Sequence, residues 1–454
     1  MNLPNYFLAD LPPEATLSPP MLEEACQTLK RNRARFLANR STQNLIMALS
    51  NLAGHWLEAD YPFRKLALEL GPAETGFSRA TLASGLDSFF NQLTPQNLRA
   101  LLEQDLGHAD RLDAMTAAEP EQRSNRASMG RAPELQVHLA AGNLPNPALL
   151  SIVFGLLVRS AQFVKCAHGS ALLPRLFAHS LYEAEPKLGA CLEIAQWRSG
   201  NTDLETVLFA QADCVTATGS DEMLAAIRPR LPPHARFLGY GHRVSFGYVA
   251  SSMLSGLNAR KAAARAAADV AAWNQLGCLS PHVIYVQQHG PQSPEQFAEL
   301  LAEELARLEE TQPRGALPLE TASAIASRRS FYEVRAAHSP DTRHWSSHDS
   351  TAWTVVYEAD PRFQLSCLHR FIYVKPADNL TEALRNAESV RGTISTVGLA
   401  APEDQALGLA TELARWGVPR VCPLGRMQYP PLTWRHDGRP ALGDLITWTD
   451  FEMP

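Results

Sequence analysis

The sequence lacks several things, and each lack argues against a class of function. Its seven cysteines (26, 166, 191, 214, 278, 367 and 422) are scattered, odd in number and without a CxxC pair. That pattern fits neither a disulfide framework nor a zinc site and points to a reducing compartment. No apolar run reaches the roughly 18 residues of a membrane span, and residues 1–20 lack the charged-then-apolar layout of a signal peptide. Positive charge is not in excess: 41 Lys and Arg against 47 Asp and Glu leave a net charge of −6, which argues against nucleic acid as the main partner. No complete GxGxxG is present, only the lone GxG of Gly239-Tyr240-Gly241. What remains is a soluble cytoplasmic protein of 454 residues, long enough for two or three domains.

Periodicity divides the chain. Residues 21–110 are helix-like, with Leu22, Leu29 and Phe36 seven apart and Leu45, Leu49 and Leu52 at helical spacing, as in a helical cap on a larger fold. Residues 111–132 are polar and aperiodic and read as a linker. From 135 to 240, short apolar runs (135–140, 162–165, 213–217, 236–238) alternate with helical segments near 147–160, 171–183 and 220–228. Alternation at this interval predicts a parallel sheet covered on both faces, with ligands at the carboxyl ends of its strands. A second alternating region follows, with helices at 258–273 and 295–308 and strands at 283–286, 353–357 and 371–374. Residues 445–448 form a plausible last strand. The expected fold is α/β. Its divisions are a helical region with linker (1–132), a Rossmann-like cofactor region (133–250), a catalytic region (251–420) and a C-terminal segment (421–454).

The residue types at the turns carry chemistry. Cys278 lies in NQLGCLSPH (274–282), between an Ala-rich helix and an apolar strand, where Gly277 removes bulk beside a thiol. On spacing alone Cys278 also reads as a buried structural cysteine; a thiol of ordinary pKa near 8.5 is only a few per cent ionised at neutral pH, so a nucleophilic role needs a local activator. His282, four residues on, is a candidate for that or for protonating a product oxygen; it could equally pack or lead the strand. Asn143, in Gly142-Asn143-Leu144-Pro145, is either a simple turn or the donor to an oxyanion. Lys165 ends a strand, where it could hold ribose hydroxyls or a phosphate, or merely be solvated. Thr218, Gly219 and Ser220 could meet a pyrophosphate at a helix start or serve as an N-cap. Gly241, His242 and Arg243 could serve a phosphate or hydride site, or form a surface turn.

In this order along the chain, the pieces resemble the aldehyde dehydrogenase superfamily, and within it the LuxC-type acyl-CoA reductases. The most specific stretches are NQLGCLSPH, YGHRVSFGYV from Tyr240 and GRMQYPPLTWRHDGRP from Gly425, with Glu74-Thr75-Gly76-Phe77-Ser78 in the helical start. The resemblance implies an acyl thioester on Cys278, an oxyanion held by the Cys278 amide and Asn143, a cofactor-domain lysine at Lys165 and a phosphate turn at 218–220.

Two departures from the aldehyde-oxidising pattern are informative. Oxidising members carry a Glu before Gly-Gly-Lys to activate water, whereas Leu238 to Arg243 contain no carboxylate, which favours reduction of the acyl-enzyme over its hydrolysis. NAD-preferring members carry a Glu three residues after the lysine; here it is His168, which favours NADPH. The implied activity is reduction of a fatty acyl-CoA or acyl-protein to the aldehyde. Implied partners are an acyl-transferase or synthetase subunit and further copies of the chain. An oxidative aldehyde or semialdehyde dehydrogenase, and a cofactor-free acyl-carrying subunit, are the alternatives.

Overall fold

The computed structural model describes residues 3–12, 14–167 and 169–452. The N-terminal third is helical because its starts and stops are chemically marked. Ser41, Ser78 and Thr94 accept backbone N–H bonds from Asn44, Thr81 and Asn97 at three helix starts. Gly76 and Gly107, at φ 75° and 77°, end the helices Pro62–Thr75 and Pro95–Leu106. Leu22, Cys26 and Leu29 of the helix Pro19–Asn32 are buried against the first sheet, so this region covers a larger fold as its periodicity predicts.

The polar stretch 111–132 is not the open linker its composition suggests. It contains a strand, β1 (Arg126–Arg131), tied down by the ion pair of Arg111 with Glu121. The ladder partner of β1 lies more than 300 residues away, so local composition cannot reveal it.

Strands β2 (Leu135–Leu139), β3 (Ala161–Cys166), β4 (Leu192–Gln196), β5 (Cys214–Thr218) and β6 (Arg236–Tyr240) form a parallel sheet in the order β4-β3-β2-β5-β6. The order reverses between β3 and β5 on either side of β2, which opens a crevice at the carboxyl ends of those strands. Four of these strands follow from their apolar runs. β4 does not, because Glu193 and Gln196 dilute it.

The chain then passes to a second sheet within residues 241–243. Here β7 (Val244–Val249), β8 (Pro281–Gln287), β9 (Thr342–Ser346), β10 (Thr354–Glu358), β11 (Phe371–Ala377), β12 (Ile394–Ala400) and β13 (Val421–Pro423) take the order β13-β12-β7-β8-β11-β10-β9. All neighbours are parallel except β9 with β10. β7, which a boundary at 250 groups with the first sheet, belongs to the second. It is buried along its whole length and pairs with β8 and β12. The ladder slips at two points beside β7, past His282 on β8 and past Ser395 on β12. Bulges of this kind re-aim side chains near active sites. The last strand, β14 (Thr447–Glu452), exposed along its length, pairs antiparallel with the half-buried β1. Among the described residues no helix is long and apolar enough to cross a membrane, and no His, Cys, Asp and Glu cluster could hold a metal ion.

Candidate active site

Cys278 is presented by a strained turn. After the helix Gly256–Ala271, three non-glycine residues, Trp273, Asn274 and Gln275, take left-handed φ values of 50°, 52° and 65°. Each such residue costs on the order of 1–3 kcal/mol, so the surroundings must hold it. The Gln275 carboxamide does so: it donates to the carbonyls of Pro281 (2.7 Å) and Phe371 (2.9 Å) and accepts from the Phe371 N–H (2.9 Å). Asn274 donates to the Arg314 carbonyl at 2.8 Å. Gly277 sits in a tight space: a Cβ there would stand 3.0 Å from the Gln428 carboxamide and 3.2 Å from Leu144, so those side chains would have to give way. The Ser245 hydroxyl donates to the Cys278 carbonyl at 2.8 Å and fixes the turn to β7.

The thiol is pushed up to about 11, chiefly by burial and then by the Asp437 carboxylate. The Ser395 hydroxyl, the Cys278 amide and Arg243 act in the opposite direction. Ser395 is fully buried on its bulge, and among the described residues its oxygen has no other hydrogen-bond partner. Asp437 has φ 52° and is ion-paired with Arg243 at 3.3 Å.

A single cavity of about 770 Å³ joins the residues singled out from the sequence. It is lined by Asn143, Lys165, Thr218, Gly219, Ser220, Gly241, His242, Arg243, Cys278 and His282. His168 lies outside the described residues. Asn143 donates one amide hydrogen to the Leu276 carbonyl at 3.0 Å, which docks the loop after β2 against the Cys278 turn. His282 is buried and pushed down to about 4, first by burial and then by the charge of His242. Its Nδ1 accepts from the Ser366 N–H at 3.1 Å, which leaves the proton of the neutral ring on Nε2. It is therefore a hydrogen-bond donor and a poor base near neutral pH.

The turn at 218–220 takes the N-cap form of its two readings. Ser220 accepts from the Met223 N–H at 3.2 Å, and the Gly219 N–H donates to the Tyr240 carbonyl at 3.1 Å. The short helix Asp221–Ile227 begins with two acids. Asp221 accepts from the His242 N–H at 3.1 Å, so these groups are largely satisfied from within the protein.

Comparisons with known proteins give the family and the fold. Residues 37–448 match the family described as Acyl-CoA reductase (LuxC). The chain belongs to the LuxC family. Among curated relatives, the long-chain acyl-protein thioester reductase of Aliivibrio fischeri is 24% identical over 329 residues, and that of Photorhabdus laumondii is 22% identical over 323. Each match covers 70% of this chain and 64% of the relative's length, so the chain corresponds to less than two thirds of either reductase. The solved structure of the P. syringae indole-3-acetaldehyde dehydrogenase AldA, in complex with NAD+ and IAA, aligns with a TM-score of 0.72 at 13% identity, covering 97% of this chain and 90% of that one. The fold is that of the aldehyde dehydrogenases.

This LuxC-family site also contains residues that its motifs did not single out. Ser199, Glu205 and Arg230 line the Lys165 end of the cavity, and Ser366 and His436 line the thiol end. His436 stacks on Tyr240 with ring centres 4.6 Å apart. The stretch GRMQYPPLTWRHDGRP holds His436 and Asp437, but a His-Asp pair in a loop gives no sign of its distant target. Ser395 sits in an apolar strand and has no local signal at all.

Proposed function

We propose that the protein reduces a fatty-acyl thioester, presented on CoA or on a partner protein, to the aldehyde through an acyl-Cys278 intermediate, with NADPH as its cofactor. The observation that carries this reading is the content of the cavity. Glu205 is the sole carboxylate among its described lining residues, and it is grouped with Lys165 rather than with Cys278. Asp437 lies behind the lining, held by Arg243. An acyl-enzyme there lacks the lining base that would activate water, so hydride transfer wins over hydrolysis.

The residues divide the chemistry as follows. Cys278 sulfur attacks the thioester carbonyl, and the Cys278 N–H with the second Asn143 amide hydrogen stabilises the oxyanion. The carbon–sulfur bond to the carrier breaks, and the carrier thiolate leaves with the proton that Cys278 gave up. A nicotinamide cofactor, when bound, supplies a hydride to the acyl carbon. The resulting oxyanion collapses, the Cys278–carbon bond breaks, and the aldehyde leaves a thiolate that regains a proton from water. His282, neutral with its proton on Nε2, offers a hydrogen bond to the oxygen. Lys165 and the walls at 218–220 and 241–243 are the residues for the cofactor; the buried Lys165 ammonium, with a hydroxyl as its hydrogen-bond partner, suits an anionic group. In this reading the first sheet is the cofactor unit and the second the catalytic unit. An acyl-transferase or synthetase subunit delivers the acyl group in the cytoplasm, and the β1–β14 ladder, with exposed Trp448 and Phe451, joins copies of the chain.

The test mixes protein, NADPH and a panel of acyl-CoAs and follows nicotinamide absorbance, with intact mass read in parallel without cofactor. Wild type gains one acyl group and consumes NADPH, and Cys278→Ala does neither. Undiminished NADPH consumption by the alanine variant would refute the mechanism.

A further inference from the structure

The Lys165 end of the cavity carries a charge arrangement assembled from three separate elements. Lys165, at the end of β3, is buried; its ammonium donates to the Ser199 hydroxyl at 3.0 Å and lies 5.8 Å from the centre of the Trp197 ring. Glu205, in the first turn of the helix Thr202–Gln211, acts on that ammonium through space. Both of its oxygens are engaged: one accepts from the Gly200 N–H at 3.2 Å, the other from Arg230 at 2.6 Å. Arg230 comes from the turn Arg228–Arg230 and lies over the Phe209 ring at 5.3 Å. The Glu205 side chain is 11% exposed and that of Arg230 31%, so a buried acid is covered by a more accessible cation.

An acid beside a ribose accepts a bond from the 2′-hydroxyl and repels a 2′-phosphate; a cation does the reverse. With Arg230 present, Lys165 and Arg230 outweigh Glu205 and this end of the cavity is net positive. Without it the two remaining charges cancel, and the acid faces the cavity uncovered.

We propose that the Glu205–Arg230 pair decides cofactor choice. Arg230 masks Glu205 and, together with Lys165, receives the 2′-phosphate of an NADPH-type ligand. Loss of Arg230 exposes Glu205 and turns the same site toward a free 2′-hydroxyl. This rests on the nicotinamide-dependent reading above, and it assigns selectivity to residues 205 and 230, distant in sequence from position 168.

Isothermal titration of the full chain with 2′,5′-ADP and with 5′-AMP reads the phosphate site without turnover. Wild type binds 2′,5′-ADP more tightly than 5′-AMP. Arg230→Gln loses about tenfold or more in 2′,5′-ADP affinity, the size of one charge-assisted hydrogen bond, while 5′-AMP binds as tightly as before or more tightly, because the uncovered Glu205 accepts from its free 2′-hydroxyl. Glu205→Gln keeps an acceptor for the Gly200 N–H and binds 2′,5′-ADP more tightly, and Arg230→Lys retains most of the wild-type preference. Equal weakening of both ligands by Arg230→Gln, no change in either, or a wild type without preference overturns the proposal. If wild type still consumes NADPH with acyl-CoA in those cases, only the assignment of cofactor choice falls. If wild type binds neither fragment nor NADPH, the reductase reading falls with it.

Discussion

At Cys278 the protein meets a conflict between protection and reactivity. Desolvation at this half-buried position disfavours the thiolate and pushes the thiol up to about 11, and the neighbours divide into those that deepen this and those that relieve it. The rate of alkylation by iodoacetamide, followed at Cys278 by mass, is therefore expected to rise with pH through neutrality and level off only near 11, because the thiolate is the nucleophile. Asp437→Asn removes a charge that holds the thiol up and should speed alkylation at pH 8, by about tenfold for each unit that the thiol falls. Ser395→Ala removes a group that stabilises the thiolate and should slow it. If both variants follow the wild-type pH profile, the thiol is tuned by something else.

At the scale of elements, two left-handed triplets lie at the same end of the neighbouring parallel strands β8 and β11. Residues 273–275 precede Cys278 and β8, and residues 368–370, at φ 63°, 56° and 66°, precede β11. Gln275 links them through its three bonds to Pro281 and Phe371. Gln275→Leu removes the Gln275 bonds to the Pro281 and Phe371 carbonyls, while the Phe371 N–H keeps the Leu368 carbonyl at 3.1 Å; at about 1–3 kcal/mol for each buried group left unpaired, a loss of roughly 2 kcal/mol or more is expected in urea unfolding. A shift of less than about 1 kcal/mol would mean that the turn is held elsewhere.

This is also where sequence reading reaches its limit. The apolar runs of β2, β3, β8, β10 and β11 are legible because burial on both faces demands them, and those of β5 and β6 because each keeps apolar residues on a partly buried strand. Cys278, Asn143 and Lys165 are legible because each sits where an element ends. Glu205, Arg230 and Ser395 are not, because their meaning comes from partners on other elements. β1 is invisible for the same reason, being a strand only by virtue of β14.

At the scale of the whole molecule, the β1–β14 ladder presents Trp448 and Phe451 at 42% and 50% exposure, while the inner residues of β1 are buried. Removing residues 447–452 uncovers β1 and deletes both aromatics. Light scattering on the truncated chain is expected to give a smaller particle than the full chain. An unchanged mass would place self-association on another surface.

The passage from β6 to β7 is only three residues long, and its last residue is Arg243. That side chain lines the cavity, spans the step between the sheets and grips Asp437, whose charge reaches the thiol. A ligand that draws Arg243 toward the cavity loosens its hold on Asp437 and so alters the field at sulfur. One guanidinium is thus shared between the wall of the cleft and the carboxylate whose charge bears on Cys278.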